Sequence, residues 1–440
     1  MITAEVRLWG RTIGAVSMED GRDHATFEYA PAFADSGIQV SPITMPLGRQ
    51  IYQFPELPHR TFHGLPGLVA DSLPDRFGHA LIDAWLATQG RRPDEFSAVE
   101  RLCYIGTRGM GALEYAPVLG PRPRRSSTID VDALVKLASE VLTHQENLAA
   151  HFSSESRGKA LAEILKVGTS AGGARAKAVI AWNRKTNEVR SGQLPAGPGF
   201  RYWLLKFDGV AGNKDKELDD PQGYGAIEYA YSLMAQAAGI AMTECRLLEE
   251  HGRRHFMTKR FDRLADGSKL HMQSLGGLAH FDYNEAGAYG YEQAFLTIRQ
   301  LGLPMAAIEE QFRRMLFNVV ARNQDDHVKN IAFLMDKTGA WRLAPAFDVT
   351  YSYNPSGRWT GSHQMTINAK RDDFEVSDFV AAGRSAGLKQ GRAAALLAEV
   401  TNAVERWPDF AKQAKVPTDV VEKIRSAQRL NLPGRITRMA

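Results

Sequence analysis

Alternating apolar and polar positions open the chain and predict a small β-rich region. In AEVRLWGRTIGAV and again in HATFEYAP, hydrophobic residues recur at every second position, and Gly10 lies where a turn would join two strands. Antiparallel strands with one buried face give this period of two. The next stretch, FHGLPGLVADSLPDRFGHALIDAWLATQG, changes to helical spacing, with Pro74 and Asp75 suited to begin a helix and Gly90 suited to end it.

The middle of the chain mixes helical and strand-like patterns. A segment rich in Pro, Arg and Ser near residue 125 predicts a domain boundary, and an amphipathic helix follows at DVDALVKLASEVL. The runs AKAVIAW and RYWLLKFD predict a hairpin whose connection contains SGQLPAGPG. A helix at GAIEYAYSLMAQAAGI and strands at CRLLEE and HFMTKRFDR complete this mixed part.

From about Tyr289 onward the spacing is mainly helical. The helical segments are YEQAFLTIRQLG, MAAIEEQFRRMLFNVVARNQ and GRAAALLAEVTNAVERW. One interruption, IAFLMDKTGAWRLAPAFDV, predicts a hairpin that turns at Lys337, Thr338 and Gly339. We therefore expect three regions: a β-rich N-terminal subdomain over 1–125, an α/β subdomain over 126–258, and a helical C-terminal lobe over 259–440.

Composition narrows the class of protein. Hydrophobic residues make up 44% and charged residues 24% of the 440 positions, as in folded soluble proteins, and the formal net charge is +4. That mild excess permits an anionic ligand without requiring a nucleic-acid coat. Only Cys103 and Cys245 are present, which excludes a disulfide framework and a Cys-rich zinc site. With no leader-like start and no long apolar run, we expect a cytoplasmic protein without membrane contact.

The main candidates for catalytic and metal-binding residues lie in NQDDHVKN at 323–330 and in AFD at 346–348, which follows one predicted hairpin later. Asp325 and Asn330 have the D-x-x-x-x-N spacing of a kinase catalytic loop, in which Asp accepts the proton of an attacking hydroxyl and Asn binds magnesium. Asp348 stands where such enzymes place a second magnesium ligand. Carboxylate and amide oxygens suit Mg²⁺, so the pattern predicts phosphoryl transfer.

Other interpretations of this segment remain open at the sequence level. Asp and Asn are common turn residues and could simply follow the end of a helix. Asp326 with Asn330 gives a D-x-x-x-N register, so Asp326 could replace Asp325 as the reactive carboxylate. His327 and the neighbouring carboxylates could bind a transition metal, although the sequence offers no second His at helical spacing nearby.

Two further features suit a nucleotide. Lys206 lies inside the apolar run YWLLKFD, where its charge must reach the edge of the strand or meet an anion such as a phosphate. The small-residue stretch GTSAGGARAK at 168–177 ends with Arg175 and Lys177, and its backbone amides could wrap phosphates. It does not satisfy the Walker A pattern, which disfavours a P-loop ATPase.

Taken together, these motifs resemble the HipA-like serine/threonine kinase toxins of bacterial type II toxin–antitoxin systems. The resemblance follows the order of the motifs along most of the chain. Those motifs are LPGLVADSLPDRFG at 65–78, SAGGARAK at 170–177, Lys206 in a strand, KRFDR at 259–263, DDHVKN at 325–330, and Phe347 with Asp348.

The resemblance implies an α+β fold of the two-lobed protein-kinase type, with ATP and Mg²⁺ as cofactors. It implies Asp325 as the catalytic base, Asn330 and Asp348 as Mg²⁺ ligands, and Ser170 as an autophosphorylated serine, with Thr169 as the alternative acceptor. The residues that it assigns to ATP are Lys206, Lys177, Ser170, Arg260, Phe261, Asp262, His327, Lys329 and Phe347. Phosphorylation of Ser170 would pull its loop out of the ATP-cradling conformation.

Two residues and one stretch of the chain depart from the family pattern. Asp326 stands where relatives often have a small residue, and Lys259 replaces a commonly acidic residue in the segment joining the lobes. The stretch LHMQSLGGL at 270–278 lacks the H-Q-E-D pattern of many relatives, which distances this chain from the best-known members and their substrate.

The resemblance also implies a biological role. The expected protein substrate is an aminoacyl-tRNA synthetase, whose phosphorylation would halt translation and lead to dormancy. The expected partner is a small HipB-like helix-turn-helix antitoxin, through which operator DNA is bound indirectly. Two alternatives stay open: a small-molecule phosphotransferase, and an inactive kinase-fold co-repressor on DNA, in which the basic stretch GRSAGLKQGR at 383–392 could contact phosphates.

Overall fold

A computed structural model describes residues 2–120, 128–143, 164–165, 167, 175–210, 214–215, 218–219, 222–264 and 266–434. The chain divides into two compact units by its contacts. The first unit comprises residues 1–225, 246–273 and 334–340, and the second comprises 226–245, 274–333 and 341–440. The boundary predicted near residue 125 lies outside the described residues, so the division into three regions stays a prediction.

The first unit opens with the predicted antiparallel sheet. Its strands are β1 (Ile2–Leu8), β2 (Arg11–Met18), β3 (Thr26–Tyr29), β4 (Ile51–Tyr52) and β5 (Leu113–Ala116). Their order in the sheet is β4-β3-β2-β1-β5, and each neighbouring pair is antiparallel. Gly10 has a φ of +78°, which a residue with a Cβ rarely adopts, and it forms the predicted turn between β1 and β2.

Helices fill the connections of this sheet. They are α1 (Pro31–Ala34), α2 (His59–Phe62), α3 (Gly67–Ala70), α4 (Arg76–Thr88) and α5 (Ala98–Ile105), with a 3-10 turn at Pro93–Glu95. Helix α4 confirms the sequence prediction: Asp75 caps its start by accepting the Gly78 amide at 2.7 Å. Gly90, with a φ of +69°, follows its end.

A second five-stranded sheet lies in the same unit. Its strands are β6 (Lys177–Asn183), β7 (Glu188–Ser191), β8 (Arg201–Lys206), β11 (Cys245–Glu250) and β12 (Arg253–Lys259), in the order β11-β12-β8-β6-β7. The predicted pairing of β6 with β8 is confirmed as antiparallel. The predicted hairpin between them was wrong, because the chain first forms β7 on the other side of β6.

A hydrophobic core joins this sheet to two helices. Helix α6 (Val131–Thr143) and helix α4 bury apolar faces against β6 and β8, with Phe77, Leu81, Val135 and Trp203 among the buried side chains. Two-residue strands β9 (Lys214–Asp215) and β10 (Leu218–Asp219) pair with each other. The sequence pattern of amphipathic helix on apolar strand therefore accounts for this half of the unit.

The rest of the chain is mainly helical, as predicted. Its helices are α7 (Tyr224–Ala237), α8 (Leu275–Ala279), α9 (Tyr291–Gln300), α10 (Met305–Val320), α11 (Val376–Ser385), α12 (Arg392–Glu405), α13 (Trp407–Gln413) and α14 (Thr418–Ala427). Its strands are β13 (His271–Ser274), β14 (Ala332–Met335) and β15 (Trp341–Leu343). Strands β14 and β15 are neighbours, which confirms the predicted hairpin.

Helix α10 is central to the second unit. It packs against α9 and α12, and its buried face includes Phe312, Met315, Leu316 and Val319. Arg392 at the start of α12 is paired with Glu309 at 2.6 Å and with Glu399 at 2.9 Å, so this cation of the basic stretch 383–392 is already neutralised. Among the described residues, no helix is long and apolar enough to cross a membrane.

Candidate active site

Backbone hydrogen bonds hold the segment that follows helix α10. Arg322 has a φ of +59°, which turns the chain after the helix. The Gln324 amide donates to the Ser352 carbonyl at 3.1 Å, and the Ser352 amide donates to the Arg322 carbonyl at 3.1 Å. A 3-10 turn at Val328–Asn330 then leads into β14. The predicted catalytic segment is therefore anchored at both ends.

The carboxylate of Asp325 is ordered and yet reachable. The indole Nε1–H of Trp359 donates to its Oδ1 at 2.5 Å. His327 Nε2 lies 3.9 Å from the same oxygen, and the Asp325 side chain is 17% exposed. A carboxylate that is to accept a proton from an incoming hydroxyl needs both a fixed orientation and this access.

Asp326 lies in the opposite environment. Its buried carboxylate accepts the Gln364 amide on Oδ1 at 2.8 Å and the Tyr291 hydroxyl on Oδ2 at 2.8 Å. His363 Nδ1 lies 2.9 Å from Oδ2. With three polar partners and almost no exposure, Asp326 is an anchor for the loop. The geometry therefore favours Asp325 over Asp326 as the reactive carboxylate.

The partners of Asp326 have polar contacts of their own. Arg429 Nη1 lies 3.0 Å from His363 Nε2, and because a guanidinium only donates, this contact leaves the imidazole proton on Nδ1, facing Asp326. The Tyr291 hydroxyl accepts the Asn318 amide at 2.9 Å. Burial, together with the negative charge of Asp326, keeps the pKa of Tyr291 well above its ordinary value, so the phenol donates.

The predicted Mg²⁺ ligands line one cavity. Asn330 Nδ2 donates to the Asp325 carbonyl at 2.8 Å. Since a carbonyl only accepts, this bond fixes the orientation of the amide and turns its Oδ1 away from that carbonyl. Asp348 has a φ of +57° and lines the same cavity of about 30 Å³ as Asn330, with Asn318, Asn323 and His327.

This donor set fits a magnesium ion that phosphates help to hold. Asn330 and Asp348 offer an amide oxygen and a carboxylate, the hard donors that Mg²⁺ prefers, and the ion usually takes few protein ligands beside phosphate oxygens and water. Among the described residues, no group of three His, Cys, Asp or Glu side chains could hold a metal ion unaided. The transition-metal interpretation of His327 therefore lacks a ligand set in the described part of the chain.

His327 and Lys329 share an aromatic neighbour. The Tyr283 ring lies 5.6 Å from the His327 ring, and Lys329 Nζ lies 4.9 Å from the centre of the Tyr283 ring. This cation–π contact orients the lysine without neutralising it. Phe347, the remaining predicted residue of this unit, lines the cavity beside Asp348.

In the first unit, the two predicted phosphate lysines are paired across the sheet. Lys177 of β6 lies directly opposite Lys206 of β8 in the antiparallel register. Lys177 Nζ lies 2.7 Å from Asp75 Oδ2, with both side chains almost fully buried. Lys206 Nζ lies 5.9 Å from the centre of the Phe256 ring. The structure thus gives the two lysines different surroundings.

Arg260 and Asp262 form a buried ion pair. Arg260 Nε donates to Asp262 Oδ1 at 2.8 Å, Arg263 Nη1 lies 2.7 Å from Oδ2, and the Gly111 amide donates to Oδ2 at 2.7 Å. Burial raises the pKa of Asp262, but the two guanidinium groups and these hydrogen bonds outweigh it and hold the pKa well below its usual range. The charged groups of Arg260 and Asp262 bind each other. A nucleotide contact predicted for residues 260–262 would therefore be made by backbone atoms or by the half-buried Phe261 ring.

The predicted phosphate loop is described only at its end. Ser170 and the alternative acceptor Thr169 lie outside the described residues. Arg175 is buried and its guanidinium lies 3.4 Å from the centre of the Tyr224 ring. That stacking directs the cation toward an aromatic face.

Several site residues were missed by the sequence analysis. Trp359, Tyr283 and His363 contact the predicted residues from segments that carry no catalytic motif. Trp359, Tyr283 and His363 lie 34, 44 and 37 positions from the loop residues that they contact, and such separations leave no periodic signal. Asp75 was assigned only to the start of a helix, and its second role with Lys177 depends on tertiary contact.

Comparisons with known families and proteins identify relatives of this chain. A model of the HipA-like C-terminal domain matches residues 169–407, more than half of the chain, and a model of the HipA N-terminal domain matches residues 4–116. A Haemophilus influenzae protein named "Putative kinase" is 24% identical over 208 residues, which are 42% of this chain and 61% of that protein. The match thus spans less than two thirds of the relative.

The HipA structure from Shewanella oneidensis shows the same fold. The Shewanella oneidensis HipA, solved with HipB and operator DNA, aligns with a TM-score of 0.67 at 17% identity, covering 96% of this chain and 95% of that one. The Helicobacter pylori proinflammatory kinase CtkA aligns with a TM-score of 0.38 at 13% identity over 58% of this chain and 89% of its own. The likeness to HipA confirms the predicted two-lobed, kinase-like α+β fold class. With family models matched at both ends, this chain belongs to the family of HipA-like proteins.

Proposed function

We propose that this protein is an ATP- and Mg²⁺-dependent serine/threonine kinase that acts as the toxin of a toxin–antitoxin system. One observation carries the proposal: the ordered, partly exposed Asp325 lies in the same short segment as Asn330, whose amide lines a cavity with Asp348. Phosphoryl transfer depends on this combination of a positioned base and oxygen donors for a hard cation.

Each residue of the segment has a distinct task. Asp325 orients the attacking hydroxyl and accepts its proton, while Trp359 holds the carboxylate in place. Asn330 and Asp348 hold Mg²⁺ through the amide oxygen and the carboxylate. When bound, Mg²⁺ neutralises charge on the phosphate oxygens. Lys329, oriented by Tyr283, supplies a further positive charge, with His327 beside it.

Residues of the first unit bind the nucleotide in this proposal. Lys206 contacts phosphate, and backbone groups of 260–262 border the adenine and ribose. Ser170, or Thr169 beside it, is the autophosphorylated residue. Phosphorylation adds about −1.5 to −2 charges at neutral pH and draws the loop away from its nucleotide-bound position, which inactivates the enzyme.

Partners follow from the relatives. The Shewanella HipA was solved with HipB and operator DNA. By analogy we propose a small HipB-like helix-turn-helix antitoxin for this chain, operator DNA bound through it, and cytoplasmic location. An aminoacyl-tRNA synthetase is the proposed substrate, and its phosphorylation would halt translation.

The decisive experiment follows γ-labelled ATP with Mg²⁺ into three possible acceptors: this chain, proteins of a bacterial lysate, and small alcohols such as sugars and aminoglycosides. We expect label on Ser170 and on one lysate protein, which mass spectrometry would identify. Label confined to small alcohols would instead support a small-molecule phosphotransferase. No label from freshly dephosphorylated protein that still binds ATP would contradict kinase activity and favour the co-repressor.

A further inference from the structure

A series of polar contacts connects the segment after helix α14 to the candidate site, all within the second unit. Arg429 lies two residues beyond the end of α14. Its Nη1 lies 3.0 Å from His363 Nε2, and His363 Nδ1 lies 2.9 Å from Asp326 Oδ2. Because Asp326 follows Asp325 in the chain, these contacts end one residue from the proposed base.

The imidazole of His363 has a partner on each of its two nitrogens. The side chains of His363 and Asp326 are both 0% exposed, so water does not reach their polar atoms. A guanidinium only donates, so Nε2 accepts from Arg429 and the ring proton on Nδ1 is donated to Asp326. Without Arg429, Nε2 would be a buried acceptor with no donor, which favours a different orientation or protonation of the ring. Arg429 therefore fixes both the orientation and the tautomer of His363.

Contacts from three other segments fix Arg429 itself. Its Nη2 donates to Asp372 Oδ1, and its backbone amide donates at 2.9 Å to the carbonyl of Val320, the last residue of α10. The guanidinium carbon lies 5.5 Å from the centre of the Phe374 ring. With only 11% of the side chain exposed, the guanidinium is held in the orientation that directs Nη1 at His363.

We propose that Arg429 is a positioning residue for phosphoryl transfer. Through His363 it holds the carboxylate of Asp326 and thereby the backbone that presents Asp325 to the attacking hydroxyl. The inference rests on the proposed function, because it takes Asp325 as the base. A small displacement of a reacting group slows the chemical step strongly. The nucleotide contacts proposed above belong to the first unit, so the loss of Arg429 should lower kcat far more than nucleotide affinity.

Two variants of His363 separate its two hydrogen bonds. The side-chain nitrogen introduced by His363→Asn can take the place of Nδ1 and donate to Asp326, but nothing remains at Nε2 for Arg429. The longer side chain introduced by His363→Gln reaches the place of Nε2 and can accept from Arg429, but nothing remains at Nδ1. The first variant keeps the bond to Asp326 without Arg429, and the second keeps Arg429 without the bond to Asp326.

The test measures kcat for transfer of the γ-phosphate of ATP, together with Mg·ADP affinity and the thermal unfolding of each variant. We expect Arg429→Met and His363→Gln to lose at least about tenfold in kcat, with Mg·ADP affinity within about threefold of the parent. In the His363→Asn background, Arg429→Met should lower kcat by less than about twofold, because the contact through which it acts is already absent. Arg425→Met, at an exposed position of α14, is the control and should match the parent.

Three results would overturn the inference. Parental kcat in Arg429→Met or in His363→Gln would show that these contacts do not position the base, and His363→Gln alone decides if Arg429→Met does not fold. An equal loss from Arg429→Met in the parent and in the His363→Asn background would show that Arg429 does not act through His363. Both of these leave the kinase proposal intact, whereas a parent that transfers no phosphate would overturn the proposed function together with the inference.

Discussion

At the scale of single residues, two adjacent aspartates have different environments, and the difference supports the role that we propose for Asp325. Asp325 keeps 17% of its side chain exposed and accepts the Trp359 indole N–H on Oδ1, whereas Asp326 is buried with three polar partners. The D-x-x-x-x-N spacing predicted the first of these from sequence, but it could not exclude the second. Burial and hydrogen-bond partners, which depend on Trp359, Tyr291 and His363, supply the distinction.

Trp359→Phe is expected to slow phosphoryl transfer without weakening nucleotide binding. The substitution keeps an aromatic ring and removes the N–H that holds Asp325 Oδ1. Loss of a hydrogen bond to a charged group amounts to about 1.5 kcal/mol or more, so kcat should fall roughly tenfold with KM for ATP unchanged. Steady-state kinetics would check this.

Trp182→Phe is the matched control, because Trp182 donates to Asn187 at 3.0 Å in an exposed part of the first unit. It should retain parental kcat. Equal kcat in Trp359→Phe and the parent would contradict the positioning role of the indole.

At the scale of elements, helices that approach closely need a small residue at the contact, and the sequence pattern does not reveal where. Gly383 in α11 faces α12, where an added Cβ would lie 2.7 Å from the Ala393 Cβ. In the sequence this glycine belongs to a basic stretch, 383–392, considered for DNA contact. In the structure Gly383 has a packing role, and Arg392 of the same stretch is paired with two glutamates.

Gly383→Ala is expected to lower the free energy of unfolding by about 1–3 kcal/mol, because the new methyl group forces α11 away from α12. Urea denaturation followed by circular dichroism would measure the loss. Ser385→Ala, at an exposed position of the same helix, should leave stability within about 0.5 kcal/mol of the parent. Equal stability of all three proteins would show that the helix contact relaxes freely.

At the scale of the whole molecule, periodicity predicted the elements better than their connections. The opening sheet, helix α4, helix α10 and the β14–β15 hairpin follow from period and turn residues in the sequence. The order of the second sheet did not, because short strand β7 lies in a polar stretch and its pairing depends on tertiary contact. The D-x-x-x-x-N spacing predicted the loop at 325–330 because it is a local sequence pattern that does not depend on tertiary contacts.

Two buried histidines and one half-buried histidine make the folded protein sensitive to acid. Burial lowers the pKa of His255, His271 and His280 to about 4. Above pH of about 6.5 they are neutral in both states and have no effect. As pH falls toward 4, the unfolded chain takes up protons that the folded chain refuses, so each histidine lowers the free energy of unfolding by up to about 3 kcal/mol.

Urea denaturation at several pH values between 4.5 and 7.5 would test this. His271→Gln, which can still donate to the Val40 carbonyl, should flatten the decline with falling pH relative to the parent. His251→Gln is the control, since that side chain is 69% exposed. A parental slope in His271→Gln would contradict the assignment.

The central claim is that Asp325 is the base for phosphoryl transfer, and one comparison tests it most directly. Asp325→Asn keeps an oxygen for the Trp359 indole and removes only the proton-accepting charge. Asp409→Asn, with 74% of the side chain exposed in the same unit, is its control. The rate of γ-phosphate transfer and Mg·ADP affinity would be measured for the parent and both variants.

We expect Asp325→Asn to lose at least about a hundredfold in transfer rate while binding Mg·ADP like the parent, because general-base catalysis contributes this much or more. Asp409→Asn should be indistinguishable from the parent in both measurements. Transfer by Asp325→Asn at the parental rate would contradict the account.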